Sequence, residues 1–346
     1  MKRLAAVLVI IAALGVGTSR GLDWWNYNVN TAVSTTSDPV VFRIDPGELP
    51  SQVSDDLLAQ RLIRDKTAFD LYLRVTGAGS NFEAGSFALN RNMTMVQIVD
   101  ALQHGKSTQL SVTIPEGFPL REQAKFVAKS TLGTAADYLA IAAEPAWSTS
   151  FDFLASRPAK ANPPLEGYLF PDTYLVEPGD MRGLVQAQLT QFGNVFNANL
   201  RAQIAKTTPN RPAETVESIV ILASMVDREA NNRNTTDRGN VCSVYYNRLK
   251  LKMPLGVDAT LLYALGRLSP EPTAAELALN SPFNTRTHAG LPPGPISNPG
   301  RAALLACINP PKTQYLYYFT DPQGATHFET NQADFCRELQ NHGMNC

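Results

Sequence analysis

The sequence predicts an α+β protein in which a small mixed module, residues 40–111, precedes a mostly helical domain, residues 112–346, that ends in a β-hairpin. Three observations predict this division. In the first part, short apolar runs bounded by turn residues alternate with amphipathic helical segments. Apolar residues at helical spacing dominate residues 181–308. Near the C-terminus, two aromatic-rich runs flank a tight turn, which is typical of a hairpin.

Composition restricts the class of protein. The 346 residues carry a net charge of −1, and the charged fraction of 18% lies below the roughly 25% of an average soluble protein. The 24 prolines and 22 glycines indicate many ordered turns. Nothing in this composition favours nucleic-acid binding, and the length is sufficient for two domains with apolar cores.

Residues 1–25 predict an export segment, either a membrane anchor or a cleaved signal peptide. Lys2 and Arg3 precede an uncharged, nearly all apolar run over residues 4–16. A helix extended to Thr18 would span only about 22 Å of a hydrocarbon core of about 30 Å, which favours a signal peptide. The small residues of Gly15-Val16-Gly17 also suit a cleavage site. An anchor is favoured instead by three aromatic residues that could lie where the outer face of that membrane meets water, namely Trp24, Trp25 and Tyr27. Both alternatives place the bulk of the chain outside the cytoplasm.

Residues 26–39 are polar and uneven, which predicts a linker. The module that follows is predicted to contain strands from Val40 to Ile44 and from Gly85 to Leu89. Its predicted helices run from Val53 to Ile63, from Ala68 to Val75 and from Met95 to Leu102, the last beginning after the N-cap candidate Thr94. The stretch 112–129 repeats the order of strand, Pro/Gly turn and helix, and marks the junction to the second domain.

The second domain has four clear helical segments, at residues 214–230, 238–252, 259–266 and 301–308. Between the last two, residues 280–300 contain too much proline and glycine for a helix or a central strand. A loop of this length in a compact domain is usually functional. A hairpin is predicted around Pro322-Gln323-Gly324, and a final helix near 331–342.

The four cysteines would lie in a compartment that permits disulfides. Cys336 and Cys346 could close the C-terminal tail, and Cys242 and Cys307 could join two helices; buried thiols are an equal alternative for the second pair. The wide spacing lacks any CxxC, and the four histidines are scattered along the chain: His104, His288, His327 and His342. We therefore expect neither a metal site nor a cofactor.

Two acidic residues, Asp227 and Glu229, follow an apolar helical run in ILASMVDREANN, residues 221–232. At about 100° per residue, Glu229 lies within roughly 20° of Leu222 on the apolar face, whereas Asp227 points nearly opposite. A carboxyl among apolar neighbours should have a raised pKa, which suits a general acid. The alternative is that Glu229 marks the solvated end of a buried helix.

Several reaction classes lack their motifs, since the sequence contains no HExxH, GxSxG or SxxK. Acid/base chemistry by carboxylates remains, beside a loop of Asn, Thr and Pro that could hold a polar polymer such as a sugar chain. A conventional glycosidase needs a second carboxyl, about 5–5.5 Å away for retention or about 6.5–9.5 Å for inversion. Asp258 and Glu166 are the candidates for that second carboxyl.

Five blocks of the sequence occur in the order and spacing of a known family: LASMVDREA, YYNRLKLKMPLGVDATLLYALG, SPFNTRTHAGLPPGPISNPG, YLYYF and HFET. LEGYLFPDTY at 165–174 and the VTIPEG junction also match. On these motifs the chain resembles the YceG-like family of endolytic murein transglycosylases over residues 40–340. The 40–111 module resembles the LysM-like subdomain of that family.

The resemblance implies a single-pass inner-membrane enzyme that faces the cell wall and needs no cofactor. It would cut peptidoglycan strands between N-acetylmuramic acid and N-acetylglucosamine, leaving 1,6-anhydro ends. It implies that peptidoglycan glycan strands are the substrate, with peptidoglycan synthases or division proteins as partners. The family's catalytic glutamate lies in the block that stands here as Asp227-Arg228-Glu229, and we assign the role to Glu229. Position in the matched blocks places four substrate-binding residues in the cleft, namely Asp258, Thr260, Asn284 and Glu166.

One departure from the family pattern concerns residues 255–260. The family commonly has Leu-Gln before an Asp-Pro-Thr triplet, whereas this chain reads LGVDAT and so lacks an amide and a proline. This change puts the substrate contacts there in doubt and leaves two alternatives open. One is a non-catalytic cell-wall-binding or division scaffold protein, and the other is a two-carboxylate hydrolase of the muramidase type.

Overall fold

The computed structural model describes residues 19–45, 47–105, 109–155, 157, 163–204, 215–229 and 235–346. The chain divides into two compact units, the first ending at Leu110 and the second beginning at Ser111. Helices predominate, and the strands of the described residues form three separate two-stranded sheets. The fold class is α+β, as the sequence predicts.

The first unit packs helices against one antiparallel strand pair. Residues 19–30 form helix α1, followed by β1 (Pro39–Ile44), α2 (Pro50–Ala59), α3 (Lys66–Thr76), β2 (Gly85–Asn90) and α4 (Met95–His104). Phe42 of β1 stands opposite Phe87 of β2. Both side chains are buried in an apolar core shared with residues of all four helices. The hydroxyl of Thr94 accepts the backbone N–H of Gln97, which confirms the predicted N-cap of α4.

Two predictions for this unit need correction. The predicted linker is helical over residues 26–30, where Val29 is buried in the core. The helix predicted from Val53 begins earlier, at Pro50, because proline is favoured in the first turn, where its missing N–H costs nothing. This helix also ends before Arg61, whose φ of 56° is left-handed.

Among the residues that the structure describes, no helix combines the length and apolar character needed to cross a membrane. The predicted apolar segment over residues 4–16 lies outside the described residues. Two of the aromatic residues that follow it pack against other residues of the first unit. Trp25 stacks on Tyr72 with ring centroids 6.2 Å apart, and the guanidinium of Arg64 lies 5.1 Å from the ring centroid of Tyr27.

The second unit is mainly helical. Its first part contains β3 (Leu110–Thr113), α5 (Leu120–Lys129), α6 (Ala135–Ala142), α7 (Trp147–Ser150), β4 (Thr173–Val176), α8 (Met181–Val195) and α9 (Ala198–Ile204). The second part contains α10 (Val216–Glu229), α11 (Thr235–Lys250), α12 (Asp258–Ala264), α13 (Ala274–Leu277), α14 (Arg301–Ile308), β5 (Tyr317–Thr320), β6 (Thr326–Glu329) and α15 (Gln332–Asn341). These bounds confirm the four predicted helical segments, the hairpin and the final helix.

Helix α10 forms the centre of this unit, because α11, α12 and α14 pack around it. Two disulfides hold the surrounding elements. Cys242 on α11 is bonded to Cys307 on α14, and Cys336 on α15 is bonded to Cys346. Both pairings that the sequence left open are therefore formed.

Candidate active site

Helix α10 is buried along most of its length and reaches the surface at its C-terminal end. Its side chains from Glu217 to Asp227 are all buried. The last two residues, Arg228 and Glu229, are only half-buried. Glu229 therefore stands where the interior of the unit meets its surface.

The contrast drawn from helical periodicity between Asp227 and Glu229 is wrong in one respect. Asp227, predicted to point away from the apolar face, is only 1% exposed. A helix enclosed on every side has no solvent face, so angular position does not decide burial. Burial raises the pKa of Asp227, against the hydrogen bond from the Gly300 N–H (3.0 Å) and the charge of Arg238. The raised pKa expected of Glu229 stays a prediction.

A tyrosine on the C-terminal hairpin donates a hydrogen bond to Glu229. The hydroxyl of Tyr318 lies 3.2 Å from Oε2 of Glu229 and 3.0 Å from the hydroxyl of Tyr245. Burial, together with the charge of Glu229, raises the pKa of Tyr318 well above its ordinary value of 10. The phenol therefore keeps its proton at neutral pH and can donate it in a hydrogen bond to the carboxylate.

Two arginines also act electrostatically on Glu229. Burial lowers the pKa of Arg228, and the neighbouring Glu229 charge opposes this effect. The pKa of Arg286 is raised mainly by its hydrogen bonds to Asp258, with a further contribution from Glu229. The positive charges and the Tyr318 hydroxyl all favour the charged form of the Glu229 carboxyl.

Asp258 is linked to the surroundings of Glu229 by Arg286. Arg286 forms an ion pair with Asp258 and also feels the charge of Glu229. Its two carboxylate oxygens accept from Nε and Nη2 of Arg286 at 2.6 and 2.9 Å. The pair remains open to solvent, with 30% of the Asp258 side chain and 43% of the Arg286 side chain exposed. Of the four predicted substrate-binding residues, Asp258 is therefore the one at the surface.

Thr260 and Asn284 are fully buried and serve the protein's own backbone. The Thr260 hydroxyl donates to the carbonyl of Val257 at 2.6 Å. The side-chain amide of Asn284 donates to the carbonyls of Leu277 and Leu279 at 3.0 and 2.9 Å. These contacts fix the surrounding backbone, and the predicted part of both residues in substrate binding stays a prediction.

Glu166 is buried too, and it joins three segments of the unit. Its carboxylate accepts from the Leu120 N–H (2.9 Å), the Asn298 amide (3.0 Å) and the Tyr263 hydroxyl (3.1 Å). Burial raises the pKa of Glu166 to about 7, although the hydrogen bonds from Leu120 and Tyr263 oppose the shift. With these partners the buried carboxyl connects three segments of the fold, and its predicted part in substrate binding stays a prediction.

The neighbouring Gly167 explains how closely these segments pack. It has a φ of +91°, and a Cβ there would lie 2.6 Å from the Pro295 side chain and 2.7 Å from that of Val220. Only glycine allows the 165–174 block to sit between α10 and the 280–300 loop.

The predicted functional loop, residues 280–300, is irregular and lies directly on α10. The hydroxyl of Ser224 accepts the Ile296 N–H at 3.1 Å, and the Ser297 hydroxyl donates to the Ser224 carbonyl at 3.1 Å. Ser224 thus connects the loop to the buried helix one turn before Glu229. Spacing in the sequence gave no signal for Ser224, Arg286 or Tyr318, although all three lie in the matched blocks.

The altered stretch 255–260 is held by the same loop. The Gly256 N–H donates to the Thr285 carbonyl at 3.0 Å, and the Val257 N–H donates to the Thr285 hydroxyl at 2.9 Å. Gly256 has a φ of +65°, which glycine adopts without strain. The stretch is therefore ordered without the proline that the family commonly has there.

The sequence model of the YceG-like family matches residues 42–341, which is most of the chain. This chain belongs to that family. Over 299 aligned residues it is 31% identical to the endolytic murein transglycosylase of Bacillus subtilis strain 168, an alignment that covers 84% of this chain and 81% of that protein.

Two further relatives extend the comparison. The endolytic murein transglycosylase of Streptococcus pneumoniae strain R6 is 27% identical over 360 aligned positions, which cover 97% of this chain but only 64% of that longer protein. The crystal structure of a YceG-like protein from Listeria monocytogenes superposes with a TM-score of 0.58 at 28% identity, covering 88% of this chain and 100% of that one.

Proposed function

We propose that this chain is an endolytic lytic transglycosylase of peptidoglycan, a carbon–oxygen lyase in which Glu229 is the general acid and base. The observation that carries the proposal is the position of Glu229 at the surface end of a buried helix, in hydrogen-bond contact with a protonated tyrosine. The names of the Bacillus and pneumococcal relatives, both endolytic murein transglycosylases, support the reaction class.

In the proposed reaction, the proton leaves Glu229 and later returns to it. Glu229 protonates the oxygen between N-acetylmuramic acid and N-acetylglucosamine, and the bond from the muramic C1 to that oxygen breaks. The Glu229 carboxylate then accepts the proton of the C6 hydroxyl on the same muramic sugar, whose oxygen attacks C1. The products are a free 4-hydroxyl on N-acetylglucosamine and a 1,6-anhydro end, and no water is consumed.

The neighbouring carboxyls favour this reaction over hydrolysis by two carboxylates. Glu166 is buried and hydrogen-bonded to internal donors, and both oxygens of Asp258 are bound to Arg286. Each candidate for a second catalytic carboxyl is therefore already engaged by the protein. A single acid and base suffices when the sugar supplies its own nucleophile.

We assign supporting roles to the residues around Glu229. Tyr318 stabilises the carboxylate formed when the proton has moved to the leaving oxygen. Asp258 remains a proposed substrate contact, and we add its partner Arg286, because both side chains reach solvent. For Thr260, Asn284 and Glu166 we propose an indirect part in binding, in which they fix the loops that form the cleft.

The proposed substrate belongs to the cell wall, so the proposed place of action is extracytoplasmic. We propose that the N-terminal apolar segment holds the chain in the inner membrane by a single pass. In that position the enzyme would terminate or trim nascent glycan strands. Peptidoglycan synthases and division proteins are the corresponding proposed partners.

Product analysis in ¹⁸O-labelled water tests the proposal. The full chain and its Glu229→Gln variant are incubated with purified murein, and the fragments are analysed by mass spectrometry. We expect unlabelled 1,6-anhydro ends from the wild type and none above background from the variant. Reducing ends carrying ¹⁸O would instead identify a hydrolase. Intact glycan that co-sediments with the wild-type protein would identify a binding protein, and either result overturns the proposal.

A further inference from the structure

Three side chains with metal-ligand atoms meet at the C-terminal hairpin. Asp321 directly follows β5, His327 lies on β6, and His342 follows α15. One ligand atom from each lies within 4.8 Å of the other two. Oδ2 of Asp321 is 2.8 Å from Nε2 of His327 and 3.8 Å from Nδ1 of His342. Two imidazole nitrogens therefore face a single carboxylate oxygen.

This arrangement was not visible in the sequence, where the histidines look scattered. The expectation of no metal site rested on that spacing alone. Residues 6 and 21 positions after Asp321 meet it only because the hairpin reverses the chain and α15 then packs back on both strands.

The backbone holds the carboxylate in a fixed orientation. Oδ1 of Asp321 accepts the N–H groups of Gln323 and Ala325, at 3.0 and 2.8 Å, within the hairpin turn. The second oxygen, Oδ2, is thereby directed at the two rings. The orientation needed to bind an ion exists before any ion arrives.

The two rings are also fixed by their surroundings. His327 stacks on Phe319 with ring centroids 4.9 Å apart. The backbone N–H of His342 is hydrogen-bonded to carbonyls of the last turn of α15, and the disulfide between Cys336 and Cys346 encloses this segment. Three separate constraints therefore hold the three ligand atoms near one another.

These distances and residue types suit a borderline divalent ion. Imidazole nitrogen and carboxylate oxygen bind Zn²⁺ at about 2.0–2.2 Å, so ligand atoms in a tetrahedral site are about 3.4 Å apart. The observed separations of 2.8 and 3.8 Å lie on either side of that value. The Asp321 side chain is 6% exposed, but those of His327 and His342 are 30% and 26% exposed. The exposed side gives access to an ion and leaves room for a water as fourth ligand.

We propose that Asp321, His327 and His342 form a binding site for a divalent transition-metal ion, with Zn²⁺ as the best match. A hydrogen bond between Asp321 and His327 alone would explain the position of one ring. It does not explain why the nitrogen of a second ring faces the same oxygen at 3.8 Å, beyond hydrogen-bond distance.

The site would have a structural role and does not depend on the proposed glycan chemistry. The ion would join the end of α15 to both strands of the hairpin. Strand β5 also carries Tyr318, three residues before Asp321, and Tyr318 is the donor to Glu229. Metal binding would therefore restrict the motion of the strand that positions this donor.

Titration of the full chain with ZnCl₂ tests the proposal. The protein is prepared without a polyhistidine tag, treated with a chelator and then dialysed free of it. Isothermal titration calorimetry should give one Zn²⁺ per chain for the wild type. His342→Gln and Asp321→Asn should each weaken this binding by about 100-fold. Asparagine at 321 retains an oxygen acceptor for the hairpin turn, so the variant should keep its fold.

His104→Gln is the matched control. His104 also pairs with a carboxylate, Asp100, at 3.1 Å, but it lies in the first unit, outside this three-residue cluster. Its substitution should leave Zn²⁺ binding unchanged.

A second readout does not depend on any variant. Co²⁺ bound to the wild-type chain should show the strong visible absorption of a tetrahedral site, and added Zn²⁺ should remove it. Failure of the wild type to bind stoichiometric Zn²⁺ would overturn the proposal. Undiminished binding by His342→Gln would do so as well.

Discussion

Two carboxyls near the C-terminal end of α10 lie in contrasting surroundings, one in the interior and one at the surface. In the interior, Asp227 lies against two glycines: the Gly300 N–H donates to it, and a Cβ on Gly117 would lie 3.6 Å from its carboxylate. Two residues later, at the open end, Glu229 is half-buried and accepts from the hydroxyl of Tyr318.

The two interior acids, Asp227 and Glu166, differ from the proposed catalytic acid, Glu229, in the groups that surround them. The interior carboxyls, Asp227 and Glu166, each accept a hydrogen bond from a backbone N–H, that of Gly300 and that of Leu120, which the fold holds in place. Glu229 accepts a hydrogen bond from the Tyr318 side chain and keeps a partly exposed surface. Access for a ligand therefore distinguishes it better than depth of burial does.

The largest expected effect is on catalysis at the open end. Glu229→Gln keeps the size and an acceptor for Tyr318 but cannot transfer a proton, so we expect turnover of purified murein to fall by about 10²–10⁴-fold. Release of soluble muropeptides with time measures this rate. Asp258→Asn should cause a much smaller loss, and the reverse order would move the catalytic role to Asp258.

Substitution of the interior carboxyl, Asp227, should lower the stability of the fold. Asp227→Ala leaves the buried Gly300 N–H without its acceptor, so we expect the free energy of unfolding to fall by about 1–3 kcal/mol. Glu229→Ala, at the edge, should change it by no more than about 0.5 kcal/mol. Urea denaturation followed by circular dichroism measures both. Equal destabilisation by the two substitutions would remove the distinction between the regions.

Glu166 should make stability depend on pH. Burial raises its pKa from 4.5 to about 7 in the folded protein. Between these pH values the folded state keeps a proton that the unfolded chain has released, so this contribution to stability is lost as the pH rises from about 4.5 to about 7. Glu166→Gln should flatten the decline by at most about 1.4 kcal/mol per pH unit. Urea denaturation across this window measures the two slopes, and parallel slopes would contradict the assignment.

The smallest of these effects should be the change in the catalytic rate and its pH dependence caused by Tyr318→Phe. Loss of the hydroxyl removes a donor that favours the charged form of Glu229, so activity should persist to higher pH while the maximal rate falls about threefold to tenfold. Tyr317→Phe is the control, because Tyr317 stacks on Phe335 and alternation along β5 points it to the other face. A pH–rate profile that the Tyr318 substitution does not move would show that the hydroxyl has no such role.

The sequence predicted helices and the hairpin well because local signals determine them. Apolar periodicity marked the segments that became α10 and α11, and the Thr94 cap is a contact between near neighbours. Residues 26–30 were misjudged because their helix is stabilised by distant contacts, such as burial of Val29 in the core. A polar local sequence carries no information about such contacts.

The site was harder to predict for the same reason. Family blocks pointed to Glu229, but they could not tell that Thr260 and Asn284 serve the backbone while Asp258 faces solvent. Periodicity also misjudged Asp227, since it assumes a helix with one solvent face. Tyr318 and Glu229 are separated by 89 residues, so only the folded chain brings them together.

The disulfide between Cys242 and Cys307 joins α11 to α14 by a covalent bond. The two cysteines are 65 residues apart in the sequence. The covalent ring that their bond closes contains Asp258, Arg286 and the whole 280–300 loop. Closing a ring of this length restricts the unfolded chain by roughly 4 kcal/mol in the chain-entropy view. The two helices that flank α10 also cannot slide past each other without breaking the bond. The helices around α10, the helix that carries Glu229, are therefore held by a covalent bond as well as by packing.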